Sequence, residues 1–406
     1  MAAQKRNKKQ WISPRHTIVR NILYYPLLWY CKLVYGITVE PFSGDNDRPY
    51  LILFNHQTAF DQFFVSLSFK KHVYYVSSED LFSNGWLSRL ITWLVAPIPF
   101  RKSTSDIAAV KNCLRIAKEG GNIGMAPEGN RTYSGTTEYI KPSVAALAKA
   151  LKLPIALYRI EGGYGVHPRW SDTVRKGKMR SYVSRVIEPE EYADISKEDL
   201  FALLKEELYV DERQDTTLFY SKRNAEYLER VMYYCPFCGL SIFDSERDVI
   251  TCRRCRRAVR YLPDKTLQGI GFDFPHKYIK DWYDAQCRFI VEMDTSVYGE
   301  SPLFSDTVCF SENIYCQRKQ KIDENATLTA YADRLVVDAA NKRYTFSFPE
   351  LSAATVLGRN KLNLYIQNRI FQCKGNKRFN AVKYLNLYYR TAGEEQEDTH
   401  GKFLGL

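Results

Sequence analysis

Long apolar runs are what this 406-residue sequence lacks. A helix that crosses a bilayer needs roughly 20 consecutive apolar residues, and the best candidate, residues 22–34, is interrupted by Pro26 and Lys32. The basic N-terminus is followed by neither an unbroken apolar stretch nor a small-residue cleavage site, so a secretory leader is not expected. The expected location is cytoplasmic, with membrane association peripheral. A disulfide framework is missing too. Of ten cysteines, Cys31, Cys113, Cys287, Cys309, Cys316 and Cys373 are scattered, as reduced thiols would be. No internal repeat is visible.

What is present describes a folded, multi-domain chain: 45% hydrophobic and 14% aromatic residues, and a length that suits two or three domains. A net charge of +12 and a pI near 9.0 favour anionic partners. Phospholipid surfaces, nucleic acid and acidic carriers all qualify on charge alone.

Residues 1–16 are polar and basic and run into an aromatic segment where Ile18, Ile22, Tyr25, Trp29 and Lys32 recur at helical spacing. Residues 1–35 therefore read as a basic arm and an interfacial helix, kinked at Pro26; a helix packed on its own domain is the other reading. Residues 36–192 alternate strand-like and helix-like runs, the pattern of an α/β domain with a mixed sheet flanked by helices. Residues 193–232, with Leu200, Leu203, Leu204 and Leu208 on one face, read as a helical connector. A cysteine-rich unit at 233–262, a linker at 263–302, a small mostly-β domain at 303–393 and a tail at 394–406 follow.

Within the first domain, Asn55-His56-Gln57-Thr58-Ala59-Phe60-Asp61 sits where a buried strand gives way to a helix, a junction where α/β proteins place chemistry. His56 can act as general base on a hydroxyl if a carboxylate fixes its tautomer, and Asp61 lies within one turn. A lone His-x-x-x-x-Asp also arises by chance in a capped helix, so it needs company. It comes at Ala126-Pro127-Glu128-Gly129-Asn130-Arg131-Thr132, where a strand ends in a turn followed by an arginine, a fixed fork suited to phosphate.

The pair of segments resembles the first and third motifs of the glycerolipid acyltransferases of the lysophosphatidic acid (PlsC-like) type. Ala96-Pro97-Ile98-Pro99-Phe100-Arg101 is similar to the second motif and Leu153-Pro154-Ile155-Ala156-Leu157 to the fourth. The resemblance implies transfer of a fatty acyl group from a thioester, acyl-CoA or acyl-carrier protein, to a lysophospholipid, with 1-acylglycerol 3-phosphate giving phosphatidic acid as the expected case. It implies His56 as base and Asp61 as its orienter. It also implies that Glu128, Gly129, Arg131 and Arg101 hold the acceptor's glycerol phosphate and that Pro154 shapes a pocket. Asn130 departs from the family's threonine, and no lysine stands within Ser77-Ser78-Glu79-Asp80-Leu81.

Cys235-Pro236-Phe237-Cys238 and Cys252-Arg253-Arg254-Cys255, thirteen residues between the inner cysteines, are two knuckles with ribbon spacing. Four thiolates with no open position predict one structural Zn²⁺. Arg253, Arg254, Arg256, Arg257 and Arg260 could face lipid phosphate, an acidic carrier or nucleic acid, or form a solvated basic surface; nucleic acid is not expected beside an acyltransferase. In the third unit, the strand-like run with Phe348-Pro349-Glu350-Leu351 and a closing helix resembles a pleckstrin-homology-type small barrel. Its Arg359, Lys361, Lys374, Lys377, Arg378 and Lys383 would meet a membrane or simply solvent. A rival function remains: a membrane- or nucleic-acid-binding scaffold whose first domain is vestigial.

Overall fold

The computed structural model describes residues 10–83, 85–100, 107–313, 319–367 and 369–393. Helix α1 (Pro14–Tyr35) starts with proline in its first turn, where no N–H is required, and ends on Gly36 at φ 62°. A Cβ there would lie 2.4 Å from the Gly177 carbonyl oxygen, so only glycine fits the cap. The α/β unit continues with β1 (Ile37–Val39), β2 (Leu51–Phe54), α2 (Asp61–Ser68), β3 (Val73–Ser78), α3 (Trp86–Val95), β4 (Ile98–Phe100), α4 (Ile107–Lys118), β5 (Asn122–Met125), α5 (Ser143–Leu151), β6 (Ile155–Glu161), α6 (Gly163–Val166), β7 (Met179–Ile187), α7 (Pro189–Tyr192) and α8 (Lys197–Leu208).

Its seven strands form one mixed sheet in the order β1-β7-β6-β2-β5-β3-β4, parallel except for the β6–β7 pair. Every residue of β2 is buried, as a continuous apolar run in a central parallel strand requires. With β5 on one side and β6 on the other, the loops leaving the C-terminal ends of β2, β5 and β6 converge. That is where an open α/β sheet forms a crevice.

The chain then folds the cysteine-rich unit: β8 (Tyr234–Cys235), β9 (Gly239–Leu240), β10 (Phe243–Glu246), β11 (Val249–Cys252), β12 (Ala258–Tyr261) and β13 (Leu267–Gly269). The stretch 263–302, read from sequence as a linker, is ordered structure. It holds β13 and α9 (Ile279–Glu292), and Trp282 and Tyr283 are buried, because the aromatics supply the core that so small a unit lacks. Of the connector 193–232, only α8 is α-helical, packed through Leu200, Leu204 and Leu208; a short 3₁₀ turn at Leu228–Arg230 follows.

The last unit comprises β14 (Phe304–Asn313), β15 (Gln320–Ala330), β16 (Arg334–Ala339), β17 (Lys342–Ser347), β18 (Ala353–Leu357), β19 (Lys361–Ile366), β20 (Arg369–Lys374) and α10 (Val382–Gly393). It is an antiparallel half-barrel, ordered β17-β16-β15-β14-β20-β19-β18. A single apolar cluster runs from Tyr133 and Trp170 of the first unit through the cysteine-rich unit into this barrel. The domains share a core rather than hang on linkers.

Candidate functional site

At the end of β2 the chain turns through residues 55–60 into α2, and Asp61, fully buried, closes that turn. Its Oδ2 accepts from His56 Nδ1 at 2.8 Å and from the Gln57 amide at 2.7 Å; its Oδ1 accepts from the Thr58 hydroxyl at 2.7 Å. Both oxygens also meet the Thr58 amide at 3.0 Å. Every partner is a donor, which suits an ionised carboxylate. His56 must then carry its proton on Nδ1, leaving the Nε2 lone pair for another proton. Burial pulls the His56 pKa below its ordinary value, and Arg131 and Arg169 add to this, against the pull of Asp61 in the other direction. The net shift favours the neutral ring that a base requires.

The loop after β5 braces this turn. Glu128 is buried and accepts from the backbone N–H of His56 at 2.7 Å and of Glu138 at 2.8 Å, while Thr132 N–H donates to the His56 carbonyl at 3.0 Å. Burial holds the Glu128 carboxyl well above the usual carboxylate range. Glu138, raised to about 7 by burial, ties the Thr132 hydroxyl and the Tyr133 amide. The loop after β6 is stitched in through Gln57, which donates to Glu212 at 2.8 Å and accepts from Tyr164 N–H at 3.2 Å.

The dyad opens on a cavity of about 1240 Å³, walled by His56, Gly129, Asn130 and Arg131 at one end and by apolar side chains of α1, α3 and α4 beyond, Leu23, Leu27, Ile91, Leu94 and Val110 among them. That exceeds the roughly 300–1,000 Å³ of a site for one drug-sized ligand and leaves room for two substrates. Arg131 presents a buried Nη1 with no hydrogen-bond partner among the described residues. Burial, with the charges of Arg169 and Arg359, lowers its pKa to about 9.

The structure therefore brings together His56, Asp61, Gly129 and Arg131. Glu128, expected at the acceptor's phosphate, stands behind the histidine, where it accepts from backbone N–H groups, and is not on the cavity wall. Pro154 does not join the site. It precedes β6, and its carbonyl accepts from Leu51 N–H at 3.0 Å, at the start of β2. In parallel strands that is the sheet edge opposite His56. Arg101 lies outside the described residues; Pro97 and Phe100, just before it, line the cavity. Sequence reasoning missed Thr58, Arg169 and Arg359. Thr58, inside the motif, was legible as a second donor to Asp61. Arg169 reaches the cavity wall only through the tertiary fold, and Arg359 stands next to Gly358 on that wall.

The four knuckle sulfurs lie within 4.8 Å of one another, and Cys235 Sγ and Cys255 Sγ are 3.8 Å apart. Tetrahedral zinc–thiolate bonds of about 2.3 Å place sulfurs about 3.8 Å apart, so the four thiols can hold one such ion. The knuckle arginines are engaged locally. Arg253 pairs with Asp244 at 2.6 Å and Arg260 with Asp248 at 2.9 Å, Arg254 donates to the Cys238 carbonyl, and Arg257 stacks on Phe237. Of the C-terminal basic residues expected at a membrane or solvent surface, Arg359, Arg378 and Lys383 pair with Asp172, Glu229 and Asp306; Arg378 stays exposed, while Lys383 is buried.

Among the described residues no helix is long and apolar enough to cross a membrane. The face of α1 picked out by sequence, Ile18, Ile22, Tyr25 and Trp29, is exposed, and so are Trp86, Leu90 and Trp93 of α3. The two helices are joined where Arg15 donates to the Trp93 carbonyl at 2.9 Å and stacks on its ring.

Residues 37–160 match the profile of the Acyltransferase family. The chain is 21% identical over 136 residues to a 1-acyl-sn-glycerol-3-phosphate acyltransferase of Bacillus subtilis (strain 168), covering 34% of this chain and 65% of that protein. It is 23% identical over 171 residues to the chloroplastic 1-acyl-sn-glycerol-3-phosphate acyltransferase BAT2 of Brassica napus, covering 41% and 47%. The matches thus span less than two thirds of each of these curated relatives. Among solved structures, the 1-acyl-sn-glycerophosphate acyltransferase PlsC from Thermotoga maritima aligns with a TM-score of 0.38 at 18% identity, over 46% of this chain and 77% of that one.

Proposed function

We propose that the chain transfers a fatty acyl group from an acyl thioester, acyl-CoA or acyl-carrier protein, to the free hydroxyl of a lysophospholipid in phospholipid synthesis, with 1-acylglycerol 3-phosphate as acceptor. The observation that carries this reading is His56, held by the carboxylate of Asp61, on the wall of a large and mostly apolar cavity, beside an Arg131 Nη1 that has no partner among the described residues. His56 Nε2 takes the acceptor's hydroxyl proton as the oxygen attacks the thioester carbonyl. Asp61 stabilises the imidazolium that forms. Collapse of the tetrahedral adduct breaks the C–S bond, and the imidazolium returns its proton to the departing thiolate, giving ester and free thiol. The acyl chains lie among the apolar side chains of α1, α3 and α4, and the acceptor's phosphate meets Arg131.

The exposed apolar residues of α1 and α3 belong to the helices that line the cavity, so a membrane seated on them would deliver lipid directly. The reading includes a peripheral association with the membrane surface. One structural Zn²⁺ would occupy the four-cysteine cluster, away from the chemistry; the pleckstrin-homology-type reading of the last unit rests on strand order and the closing helix alone.

Purified protein assayed with both donor types across a panel of lysophospholipids and monoacylglycerol tests the proposal. Turnover is expected with 1-acylglycerol 3-phosphate and should vanish in His56→Ala with the fold retained; near-parental turnover in that variant would remove the assigned base. In Arg131→Ala the acceptor KM should rise more than the donor KM, and the reverse ordering would assign Arg131 to the donor.

A further inference from the structure

The turn between β18 and β19, residues 358–360, reaches from the C-terminal half-barrel into the first unit. Val356, Leu357 and Gly358 stand on the wall of the same cavity as His56 and Arg131. Two arginines hold the turn there. Arg169, buried in the loop after α6, donates Nη2 to the Val356 carbonyl at 2.6 Å, Nε to that of Gly358 at 3.3 Å and Nη1 to that of Arg131 at 3.1 Å. Arg359 comes from the other side. Its Nη1 pairs with Asp172 at 2.9 Å and its Nη2 donates to His167 Nε2 at 2.9 Å. Because a guanidinium only donates, His167 must be unprotonated on Nε2, and its Nδ1–H faces Tyr35 Oη of α1 at 3.3 Å.

Charge in this corner is unbalanced. The hydrogen bonds of Arg169 end on neutral oxygens, and Asp172, the carboxylate on Arg359, is shared with Arg230 at 2.7 Å. Arg131 Nη1 and Arg359 Nε are both buried without a partner among the described residues. The crowding is felt: Arg359 helps lower Arg131, after burial and Arg169, and burial together with Arg359 and Arg131 takes His167 down to about 4. Buried donors left unpaired are costly and rare, and two from different domains, Arg131 on the cavity wall and Arg359 next to Gly358 of that wall, call for an anion with several oxygens.

We propose that the C-terminal half-barrel is part of the acceptor site: Val356, Leu357 and Gly358 close one wall of the reaction cavity, and Arg359, next in the chain, joins Arg131 in holding the acceptor's phosphomonoester. This rests on the acyl-transfer reading for the identity of the ligand but not for the anion site itself. Arg359 is a specificity-determining residue, since it selects acceptors whose phosphate is free to take a second guanidinium.

The full-length chain is tested by thermal shift and titration with sn-glycerol 3-phosphate as probe, and by kinetics with 1-acylglycerol 3-phosphate. Arg359→Gln should weaken glycerol 3-phosphate binding and raise the acceptor KM tenfold or more, the loss expected for one charge-assisted contact, while the donor KM moves less than threefold. Arg359→Lys, which keeps charge but not the fork, should fall between. Asp172→Asn is the control, breaking the same interdomain pair yet keeping the guanidinium. It should lower the melting temperature while glycerol 3-phosphate binding stays within threefold of the parent. Equal losses of binding in Arg359→Gln and Asp172→Asn would reduce Arg359 to an interdomain strut and overturn the proposal. So would a parent chain that does not bind glycerol 3-phosphate. A parent that binds the probe through Arg359 but turns over no lysophospholipid would instead sink the acyl-transfer reading and leave the anion site standing.

Discussion

Replacing Asp61 by asparagine isolates the charge of the dyad from its geometry. An asparagine carbonyl in the Oδ2 position can still accept from His56 Nδ1 and Gln57 N–H, and its NH₂ would then face the Thr58 hydroxyl, which can rotate to accept. The histidine keeps its orientation and tautomer. What is lost is the negative charge beside the imidazolium formed on proton transfer. At about 4 Å between charge centres and an effective dielectric near 20, that attraction is worth about 4 kcal/mol, or roughly a thousandfold in rate. Replacing charge-assisted bonds by neutral ones should cost about 1–2 kcal/mol of stability, too little to unfold the chain. Free-thiol release from acyl-CoA, followed by a chromogenic thiol reagent with 1-acylglycerol 3-phosphate as acceptor, reads kcat and both KM values; circular dichroism reads the fold. The expected result is a kcat near one thousandth of the parent with acceptor KM little changed. Asp61 is also the group that raises the His56 pKa, so the acid limb of kcat/KM should move lower in Asp61→Asn than in the parent. A folded variant within tenfold of parental kcat, or an acid limb that moves up, would refute the reasoning.

Two further predictions concern the periphery. Purified protein should carry about one zinc per chain, and removing it by chelation should lower the melting temperature, because the cluster ties β8, β9 and β11 beside the buried Trp282; an unchanged melting temperature after complete metal loss would refute a structural ion. Trp29→Asp together with Trp93→Asp should weaken sedimentation with anionic phospholipid vesicles by about 30-fold or more, since burying one such ring is worth about 2 kcal/mol, with turnover of a short-chain, water-soluble acceptor retained. Equal vesicle binding by parent and variant would place the lipid surface elsewhere.

The chemistry of the first domain was legible because it is local. His56 and Asp61 are five residues apart on one strand-to-helix turn, and the turn dictates their contact. Arg131 was legible for a similar reason, since β5 pairs with β2 and brings its loop alongside. Strand polarity was harder to read. Pro154 sits in a motif that is near in sequence order, yet β6 enters the sheet from the far edge and its first residues point away from the crevice. Glu128 has the right loop but the wrong direction, because the carboxylate satisfies backbone donors that burial would otherwise leave orphaned.

Charge was the least legible property. A count of basic residues in the C-terminal unit pointed outward, to a membrane or to solvent, but Arg359, Arg378 and Lys383 find carboxylates far away in sequence. Composition records how much charge a chain carries and not what neutralises it. One carboxylate, Asp172, serves both Arg359 and Arg230, so a surplus of positive charge remains at Arg131 and Arg169 on the wall of a cavity otherwise mostly apolar, with Arg359 next to that wall. A ligand with one anionic end and one long apolar end satisfies both halves of that surface at once, and neither half alone would require it.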